Sequence, residues 1–310
     1  MSLFRPYVYK PRPDLLDNAP VKTGFFRFFE IWFRKFWRFL TLNFLYFLLT
    51  LPMLLYVFYT VNGLFADRLA AVGEGVVLFS GVSFLAAFFS FVPRALNVPL
   101  LLISVVLYGP LTMGLTYIFR NFAREEHAWT SDLWSRAWSN ARQGLFFGLA
   151  DLLVLWLCVN GAFAGTGTSG ALGAVSVIRR TLSGLALVVW LFMRHYTYLM
   201  AVTVNLGVFR ILKNAWLFVV LGFGRNVLSG AVTVGCLLLS FFLAPLLTIV
   251  TLPLFFYSFT WFCTIFTCYP IVKKYIIVPA LEAEAAQSAA AGEPGASGDT
   301  NADEQRSEEE

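Results

Sequence analysis

Residues 226–272 read NVLSGAVTVGCLLLSFFLAPLLTIVTLPLFFYSFTWFCTIFTCYPIV, and none of these 47 side chains is charged. A membrane span needs about 20 apolar residues, each adding about 1.5 Å of helix length. As a single helix the stretch would reach about 70 Å, about twice the thickness of a bilayer core. It therefore predicts two spans, with the chain folding back near Thr251-Leu252-Pro253.

The whole chain has the composition of an integral membrane protein. Of its 310 residues, 58% are hydrophobic and 13% are charged, and its mean hydropathy is +0.71. Soluble domains are about 45–50% apolar and about 25% charged, so this chain would expose too much apolar surface in water. The predicted fold class is all-α, a polytopic transmembrane helical bundle of about six spans. The candidate spans are 39–62, 99–119, 144–165, 181–204, 226–249 and 252–272.

Residues 76–92, VVLFSGVSFLAAFFSFV, are marginal for a span at 17 residues. The positive-inside rule distinguishes the two topologies. If this segment stays on the outer side, the inner loops hold 18 Lys and Arg and the outer loops four; if it crosses, each side holds eleven. We therefore predict a partial or re-entrant outer hairpin. The protein is expected to be a multi-pass membrane protein with both termini in the cytoplasm.

Two terminal regions flank the predicted membrane helical domain, residues 23–275. Residues 1–22 are polar and Pro-rich without periodicity, which indicates an irregular cytoplasmic arm. Residues 276–310 form a low-complexity, acidic segment that buries too little apolar surface to offset its ordering entropy, so we predict a disordered cytoplasmic tail. The remaining body is basic, which favours an anionic membrane surface over nucleic acid as its partner.

Residues 23–40, TGFFRFFEIWFRKFWRFL, place aromatic side chains on nearly every helical turn, with basic side chains between them. This pattern is typical of a helix in the headgroup layer that continues into the first span. A calmodulin-like target helix looks similar, but the direct junction with a span favours the lipid interpretation. The bases expected to anchor this helix to anionic lipid are Arg27, Arg34, Lys35 and Arg38.

Residues 120–143 form the predicted cytoplasmic connection between the second and third candidate spans. Ser131 is expected to cap a short helix that has Asp132 in its first turn. One face of that amphipathic helix would carry Leu133, Trp134, Ala137, Trp138 and Ala141.

The sequence REEH, residues 124–127, precedes this helix. It lacks the His-Glu-x-x-His spacing of a zinc-binding helix, and adjacent carboxylates diverge on a helix. We expect a solvated turn and no metal site or cofactor. The four cysteines lie in apolar runs without a Cys-x-x-Cys pair, which favours small buried side chains over a metal or redox site. They are Cys158, Cys236, Cys263 and Cys268.

Two short segments on the predicted cytoplasmic side share the pattern Arg-x-x-x-Asn-Ala. RAWSNA contains Arg136 and Asn140, and RILKNA contains Arg210 and Asn214. Each follows a Thr-Tyr-aliphatic triplet in the preceding span. An internal parallel duplication and a chance match both account for this pattern. As a duplication, the two helices would serve as docking surfaces.

Two charges lie deep in the candidate spans. By helical rise, Asp151 is about 10 Å from the cytoplasmic end of its span, and Arg194 is about 15 Å from that end of the next. An unpaired charge there costs at least about 2.5–3.5 kcal/mol. We therefore predict an intramembrane pair, with His195 or Tyr198 as a further hydrogen-bond partner. The alternative is a span that begins later, so that Asp151 reaches the headgroups.

Several motifs together resemble a known family. They are NFLYFLLTLP at 43–52, Gly109-Pro110 before a Tyr-containing helix, an acidic turn before a Trp/Asn helix, FRILKNAWLFVV at 209–220 followed by Arg-Asn, and Lys273-Lys274-Tyr275. Over roughly residues 24–275 the chain resembles the YesL-like bacterial integral membrane proteins, whose molecular function is unknown. The resemblance implies an association with carbohydrate uptake systems and their sensor partners. The chain differs from the family by about fifty residues, including 76–92, between the first Leu-Pro and Gly-Pro.

These features leave two functional hypotheses. The sequence has no Gly-rich phosphate loop, nucleophile elbow or paired intramembrane carboxylates, so we do not expect an enzyme. The first hypothesis is an accessory, scaffold or regulatory protein that partners a transporter permease or membrane sensor. The alternative is a small solute transporter or channel subunit, because Pro and Gly interrupt several spans and broken helices line the sites of many carriers.

Overall fold

A computed structural model describes residues 24–69, 94–163, 171–204, 206–239, 250–279 and 282. Within these residues the chain forms helices and no strands, which confirms the all-α fold class. The helices are α1 (Gly24–Arg34), α2 (Phe36–Leu69), α3 (Arg94–Ala123), α4 (Asp132–Ser139), α5 (Ala141–Phe163), α6 (Ala171–Ala201), α7 (Val208–Leu221), α8 (Phe223–Leu238) and α9 (Tyr257–Val272). Short π-helical turns, Leu252–Phe256 and Lys273–Ile277, flank α9.

Five helical segments are long and apolar enough to cross a membrane, and α7 with α8 would make a sixth if the pair forms one bent span. The five segments are Phe36–Tyr56, Val98–Ala123, Ala141–Ala162, Gly173–Ala201 and Leu252–Ile277. This number agrees with the prediction of about six spans, but the sixth segment differs from the predicted span 226–249: the bent pair begins at Val208, and residues 240–249 lie outside the described residues. We call the end of the bundle that carries α1, α4 and the α6–α7 turn the base.

The predicted turn at residues 251–253 is wrong, because residues 250–279 form one continuous helical run. Pro253 occupies the start of the π-helical turn Leu252–Phe256, a position that tolerates proline. The π-helical turn that follows is tied to α2: Asn43 Nδ2 donates to Leu252 O at 2.9 Å, and Asn43 Oδ1 accepts from Ser258 N at 2.8 Å. One buried amide therefore adds a donor and an acceptor to the backbone of the irregular turn.

Other predicted boundaries shift or lie outside the described residues. Helical structure continues past 275, the predicted end of the membrane domain, through the π-helical turn Lys273–Ile277 to residue 279. The arm 1–22, the segment 76–92 and the tail from 283 onward lie outside the described residues.

The cap predicted for α4 also differs. Ser131 occupies the N-cap position but makes no side-chain cap hydrogen bond, because its backbone is already helical. Asp132 instead accepts from the backbone N–H of Trp129 at 2.8 Å. On the helix itself, Leu133 and Ala137 are buried as predicted. Trp134 and Trp138 stack on each other and stay exposed, with ring centroids 6.5 Å apart.

Aromatic rings fill the core near the base. Phe28 of α1 stacks on Phe262 of α9, with ring centroids 5.2 Å apart. Phe39 of α2 lies 4.8 Å from Phe262 and 5.1 Å from Phe119 of α3. Aromatic pairs of this kind add about 0.5–1.5 kcal/mol beyond the burial of their area. The inner face of α1 is thus an integral part of the core, while Phe25 and Phe33 on its outer face are exposed.

A close crossing of α3 and α5 depends on glycine. A Cβ on Gly148 would lie 2.7 Å from Gly109 Cα, and one on Gly144 would lie 2.9 Å from Pro110 Cα. Gly144 and Gly148 form a Gly-x-x-x-Gly pair, which allows membrane helices to approach until their backbones touch. The crossing brings α3 and α5 together one helical turn from Asp151.

The bend between α7 and α8 measures 88°. It is fixed from the side by α6, since Tyr196 donates to Asn226 Oδ1 at 2.8 Å and Asn226 Nδ2 donates to Val219 O at 3.1 Å. A side chain at Gly222 would collide with the Tyr196 hydroxyl. The residues of the bend are therefore packed and hydrogen-bonded in this conformation.

Candidate functional site

The structure brings Asp151 of α5 and Arg194 of α6 together. Arg194 Nε lies 3.2 Å from Asp151 Oδ2, and the side chains are 20% and 6% exposed, respectively. Asp151 therefore does not reach the headgroups as the alternative interpretation required; its carboxylate is buried inside the bundle. The predicted pair is present.

Ring donors complete the surroundings of the carboxylate. Trp190 Nε1 donates to Asp151 Oδ1 at 2.9 Å, and the Tyr198 hydroxyl donates to Oδ2 at 3.1 Å. The Tyr108 hydroxyl lies 3.5 Å from Oδ2, a long contact. We call Tyr108, Asp151, Trp190, Arg194 and Tyr198 the ionic cluster. A buried carboxylate with partners on both oxygens is stable where an isolated one would not be.

The guanidinium of Arg194 is held on two further sides. Its Nη2 donates to the Tyr108 hydroxyl at 2.7 Å, and its central carbon lies 5.0 Å from the centroid of the Trp261 ring. A desolvated cation over an indole ring gains about 2 kcal/mol or more. Its Nε is within ion-pair distance of the carboxylate but makes no hydrogen bond, so the attraction between the two charges is Coulombic at this atom.

His195 does not join the cluster, although it was a predicted partner. Its ring lies against Trp261, with centroids 5.0 Å apart. The reason is helical geometry: a residue at i+1 points about 100° away around the helix, whereas residues at i−4 and i+4 share a face. Tyr198 and Trp190 stand at those two positions relative to Arg194.

Sequence reasoning missed Trp190 and Tyr108. The i−4 spacing from Arg194 is a signal that would have found Trp190, and the i+4 spacing favours Tyr198 over His195 in the same way. Tyr108 belongs to another helix and has no such signal. The close crossing of α3 on α5 places Tyr108 beside Asp151. In the sequence, the Gly-x-x-x-Gly spacing of Gly144 and Gly148 is the feature that indicates such a crossing.

The cluster's chemistry is that of a closed, electrically neutral cross-link among α3, α5 and α6. The carboxylate and the guanidinium pair with each other. The carboxylate also accepts from Trp190 and Tyr198, and the guanidinium donates to Tyr108. Among the described residues no group of three or more His, Cys, Asp or Glu side chains is placed to hold a metal ion. The four cysteines are free thiols, with Cys158 and Cys268 buried.

A second set of charges joins α1 to the loop after α3. Glu125 accepts from Arg27 Nε at 2.9 Å and from Arg34 Nη2 at 3.2 Å. Lys35 Nζ donates to Glu126 O at 3.2 Å, and Arg38 Nη1 donates to a backbone carbonyl at 3.0 Å, that of Ala128. We call Arg27, Arg34, Lys35, Arg38 and the loop 125–128 the basic clamp.

The REEH turn is exposed at Arg124, Glu125 and His127, in agreement with the predicted solvated turn. The four bases expected to face anionic lipid also contact this loop. Loop carbonyls beyond the end of α3 have no helical partner, and they draw donors from the neighbouring helix. Lys35 also lies over the Phe122 ring, 4.0 Å from its centroid, where it is partly shielded from water. The bases therefore bind the protein's own loop, with Arg27 and Arg34 remaining about half exposed.

Glu125 has a left-handed backbone, with φ at 61°. The Glu126 N–H bonds to Asn121 O at 2.8 Å and the Glu125 N–H to Phe122 O at 3.0 Å, which is a Schellman ending of α3. Glycine usually occupies this position, because a side chain there costs about 1–2 kcal/mol. The chain places a carboxylate there instead, and that carboxylate binds two arginines.

Charge interactions shift the pKa values of two groups in the basic clamp. Partial burial alone would raise the pKa of the Glu125 carboxyl, but the hydrogen bonds from Arg34 and Arg27 outweigh it and hold that pKa below its ordinary value. Burial, with the nearby positive charges of Arg34 and Arg38, lowers the pKa of Lys35 to about 8.

The two Arg-x-x-x-Asn-Ala segments occupy different structural positions. Arg136 in α4 donates to the Tyr117 hydroxyl at 3.2 Å, and Asn140 ends that helix. Arg210 is exposed on α7, and α7 continues through Asn214 to Leu221. The first segment lies at the end of a helix and the second lies inside one. The two segments therefore share a sequence pattern but not the same helix boundaries.

Comparison with known proteins gives no relative: no family model matches the chain, and no curated protein or solved structure is significantly similar to it. The resemblance to the YesL-like family therefore rests on the sequence motifs alone.

Proposed function

We propose that this chain is an accessory membrane protein that scaffolds or regulates a partner in the bacterial plasma membrane, with both termini in the cytoplasm. The single observation that carries this proposal is the closed ionic cluster. Asp151, near the middle of its span, is bound to Arg194 of the next span. We take this closed pairing, in which both charges already have partners, to favour a structural role over solute binding or ion relay.

The rest of the described bundle supports a static role. The glycine crossing of α3 on α5 leaves no space between the two backbones, and the bend after α7 is fixed by Asn226. A rigid bundle with aromatic surfaces at its base suits a protein that holds or positions another. The exposed tryptophans of α4, Trp134 and Trp138, offer rigid contact area of the kind that is enriched at protein interfaces.

The partner class follows from the resemblance. YesL-like proteins accompany carbohydrate uptake systems and their sensors, so we expect a permease subunit or a membrane sensor of such a system as the partner. Neither an enzymatic activity nor a cofactor is part of the proposal.

Co-purification tests this function. The tagged full-length chain, extracted from its native membranes in a mild detergent, is expected to carry a permease or sensor subunit in fixed stoichiometry. The control is a similarly tagged multi-pass protein expressed at the same level. A chain that purifies alone and moves solute across liposomes by itself would contradict the accessory role.

A small transporter or channel subunit is the second candidate, favoured by one observation. The α7–α8 pair bends by 88° at Gly222, and discontinuous helices of this kind line the sites of many carriers. Flux in proteoliposomes distinguishes the two candidates. Transport lost in Gly222→Leu but kept in Gly235→Leu, whose site has open space around it, would favour the transporter.

A further inference from the structure

A cavity of about 730 Å³ opens at the base, between the α4–α5 junction and the turn that ends α6. It is large enough for a phosphate group together with the glycerol unit that bears it. The polar residues that line it include Tyr117, Arg136, Asn140, Arg142, Gln143 and Thr203.

The charge of this cavity is positive. Arg136 and Arg142 line it, and no acidic side chain does. Within the described residues neither arginine pairs with a carboxylate. Arg136 uses one donor on the Tyr117 hydroxyl and lies 4.4 Å from the centroid of that ring, which fixes its direction. A guanidinium has five N–H donors, so most of its capacity remains for an anion.

The neighbouring backbone does not cancel this charge. The end of α6 contributes carbonyl groups, which carry partial negative charge. Arg120 Nη1 donates to Val202 O at 2.6 Å, and Gln143 Nε2 donates to Leu206 O at 3.1 Å. Both contacts occupy carbonyls of the turn, and they also hold the wall of the cavity in place.

The position of the cavity selects the kind of anion. The membrane-crossing segments adjacent to it end at Ala123, begin at Ala141 and end at Ala201. The cavity lies where these three ends meet, and the ends of membrane spans face the lipid headgroups. A basic pocket between span ends is the arrangement that binds anionic lipid headgroups.

We propose that this cavity binds the phosphate of an anionic phospholipid headgroup, held by Arg136 and Arg142. The site is separate from the basic clamp and does not depend on the accessory function proposed above. Arg136 is pre-oriented by Tyr117, and Arg142 approaches from the first turn of α5. Both side chains line the same cavity.

The test measures lipid selectivity of the purified full-length chain. The protein in an uncharged detergent is offered equal amounts of phosphatidylglycerol and phosphatidylcholine, and native mass spectrometry counts the bound lipids. We compare Arg136→Gln/Arg142→Gln with Arg210→Gln/Arg225→Gln, which removes the same charge from exposed positions outside the cavity. The preference for phosphatidylglycerol should fall at least about five-fold in the first variant, since each interfacial base contributes about that factor. It should be unchanged in the second.

Two outcomes would overturn the proposal. An equal fall in both variants, or none in either, would mean that the cavity selects no headgroup. Displacement of the lipid by millimolar glycerol phosphate or inorganic phosphate would assign the site to a soluble phosphate instead. If the double variant fails to fold, Arg142→Gln alone serves, because this exposed side chain makes no ion pair or hydrogen bond within the described residues.

Discussion

The ionic cluster and the basic clamp use the same chemistry in opposite environments. Each pairs a carboxylate with guanidinium, at 3.2 Å in the cluster and at 2.9 and 3.2 Å in the clamp. The carboxylate side chain of the cluster is 6% exposed, and that of the clamp is 40% exposed. Distance therefore does not distinguish the two pairs. Water does.

The difference in solvent exposure determines how much each pair contributes to the free energy of unfolding. Losing one partner of a buried pair leaves an uncompensated charge and destabilises by about 3–5 kcal/mol. Losing one partner of an exposed pair costs about 0.2–1 kcal/mol, because water solvates the charge that remains. We expect the cluster to fix the packing of α3, α5 and α6, and the clamp to set the position of α1 against the loop.

The largest effect is expected in the ionic cluster. Asp151→Asn and Arg194→Gln should each lower the free energy of unfolding by about 3 kcal/mol, because each leaves an unpaired charge at depth. The double variant should be more stable than the sum of the single losses by at least about 1 kcal/mol. Reversible unfolding in detergent measures all four states of this cycle. Strictly additive losses would show that the two charges do not depend on each other.

The next effect is expected at the glycine crossing. Gly148→Leu would push α3 away from α5 and separate Tyr108 from Asp151, with an expected loss of about 1–3 kcal/mol from overpacking. The matched control is Gly184→Leu, where no atom lies within 4 Å of an added Cβ. The same unfolding assay measures both variants. Equal losses would show that replacing a helical glycine, and not disrupting the crossing, causes the loss of stability.

The smallest effect is expected in the basic clamp, and it has two opposing parts. Glu125→Ala should cost about 1 kcal/mol through the lost arginine pairs. Glu125→Gly loses the same pairs but relieves the left-handed backbone, so it should be more stable than the alanine variant by about 1 kcal/mol. Thermal unfolding of the two variants measures the difference directly. An alanine variant as stable as the glycine variant would show that the backbone is unstrained.

Salt and pH sharpen the same comparison. The clamp should weaken as ionic strength rises, whereas the buried cluster should not respond. The folded-state pKa of Glu125 is below its ordinary value, so its stabilising contribution is present above that ordinary value and is lost as pH falls through the lowered pKa. Glu125→Gln should remove this acid dependence while leaving the Asp151–Arg194 coupling intact.

Hydropathy predicted the architecture well, and the reason is physical. A bilayer requires long apolar helices and penalises isolated charges, so the spans and the Asp151–Arg194 pair were both readable from the chain. Trp190 and Tyr108 were not, because neutral aromatic residues in an apolar run look the same whether they face lipid or a carboxylate.

The contacts of the basic clamp with the loop were not predicted, for a different reason. Its bases were visible, and so was Glu125, but about ninety residues separate them along the chain. A lipid surface and a folded-back loop are equally good partners for a basic helix on sequence grounds. Only the tertiary packing of Phe28 on Phe262 places α1 beside the loop.

The pairing of Asp151 with Arg194 also bears on how the chain enters the membrane. The two residues lie on consecutive helices, so α5 emerges from the ribosome with its carboxylate before α6 can supply the guanidinium. A helix inserted alone would carry an unpaired charge, which costs about 2.5–3.5 kcal/mol. When the two helices insert together as a hairpin, Asp151 and Arg194 can pair and this cost is avoided. The translocon should therefore release them together. Chains truncated after residue 163 should integrate α5 poorly, and chains extended through residue 201 should restore its integration.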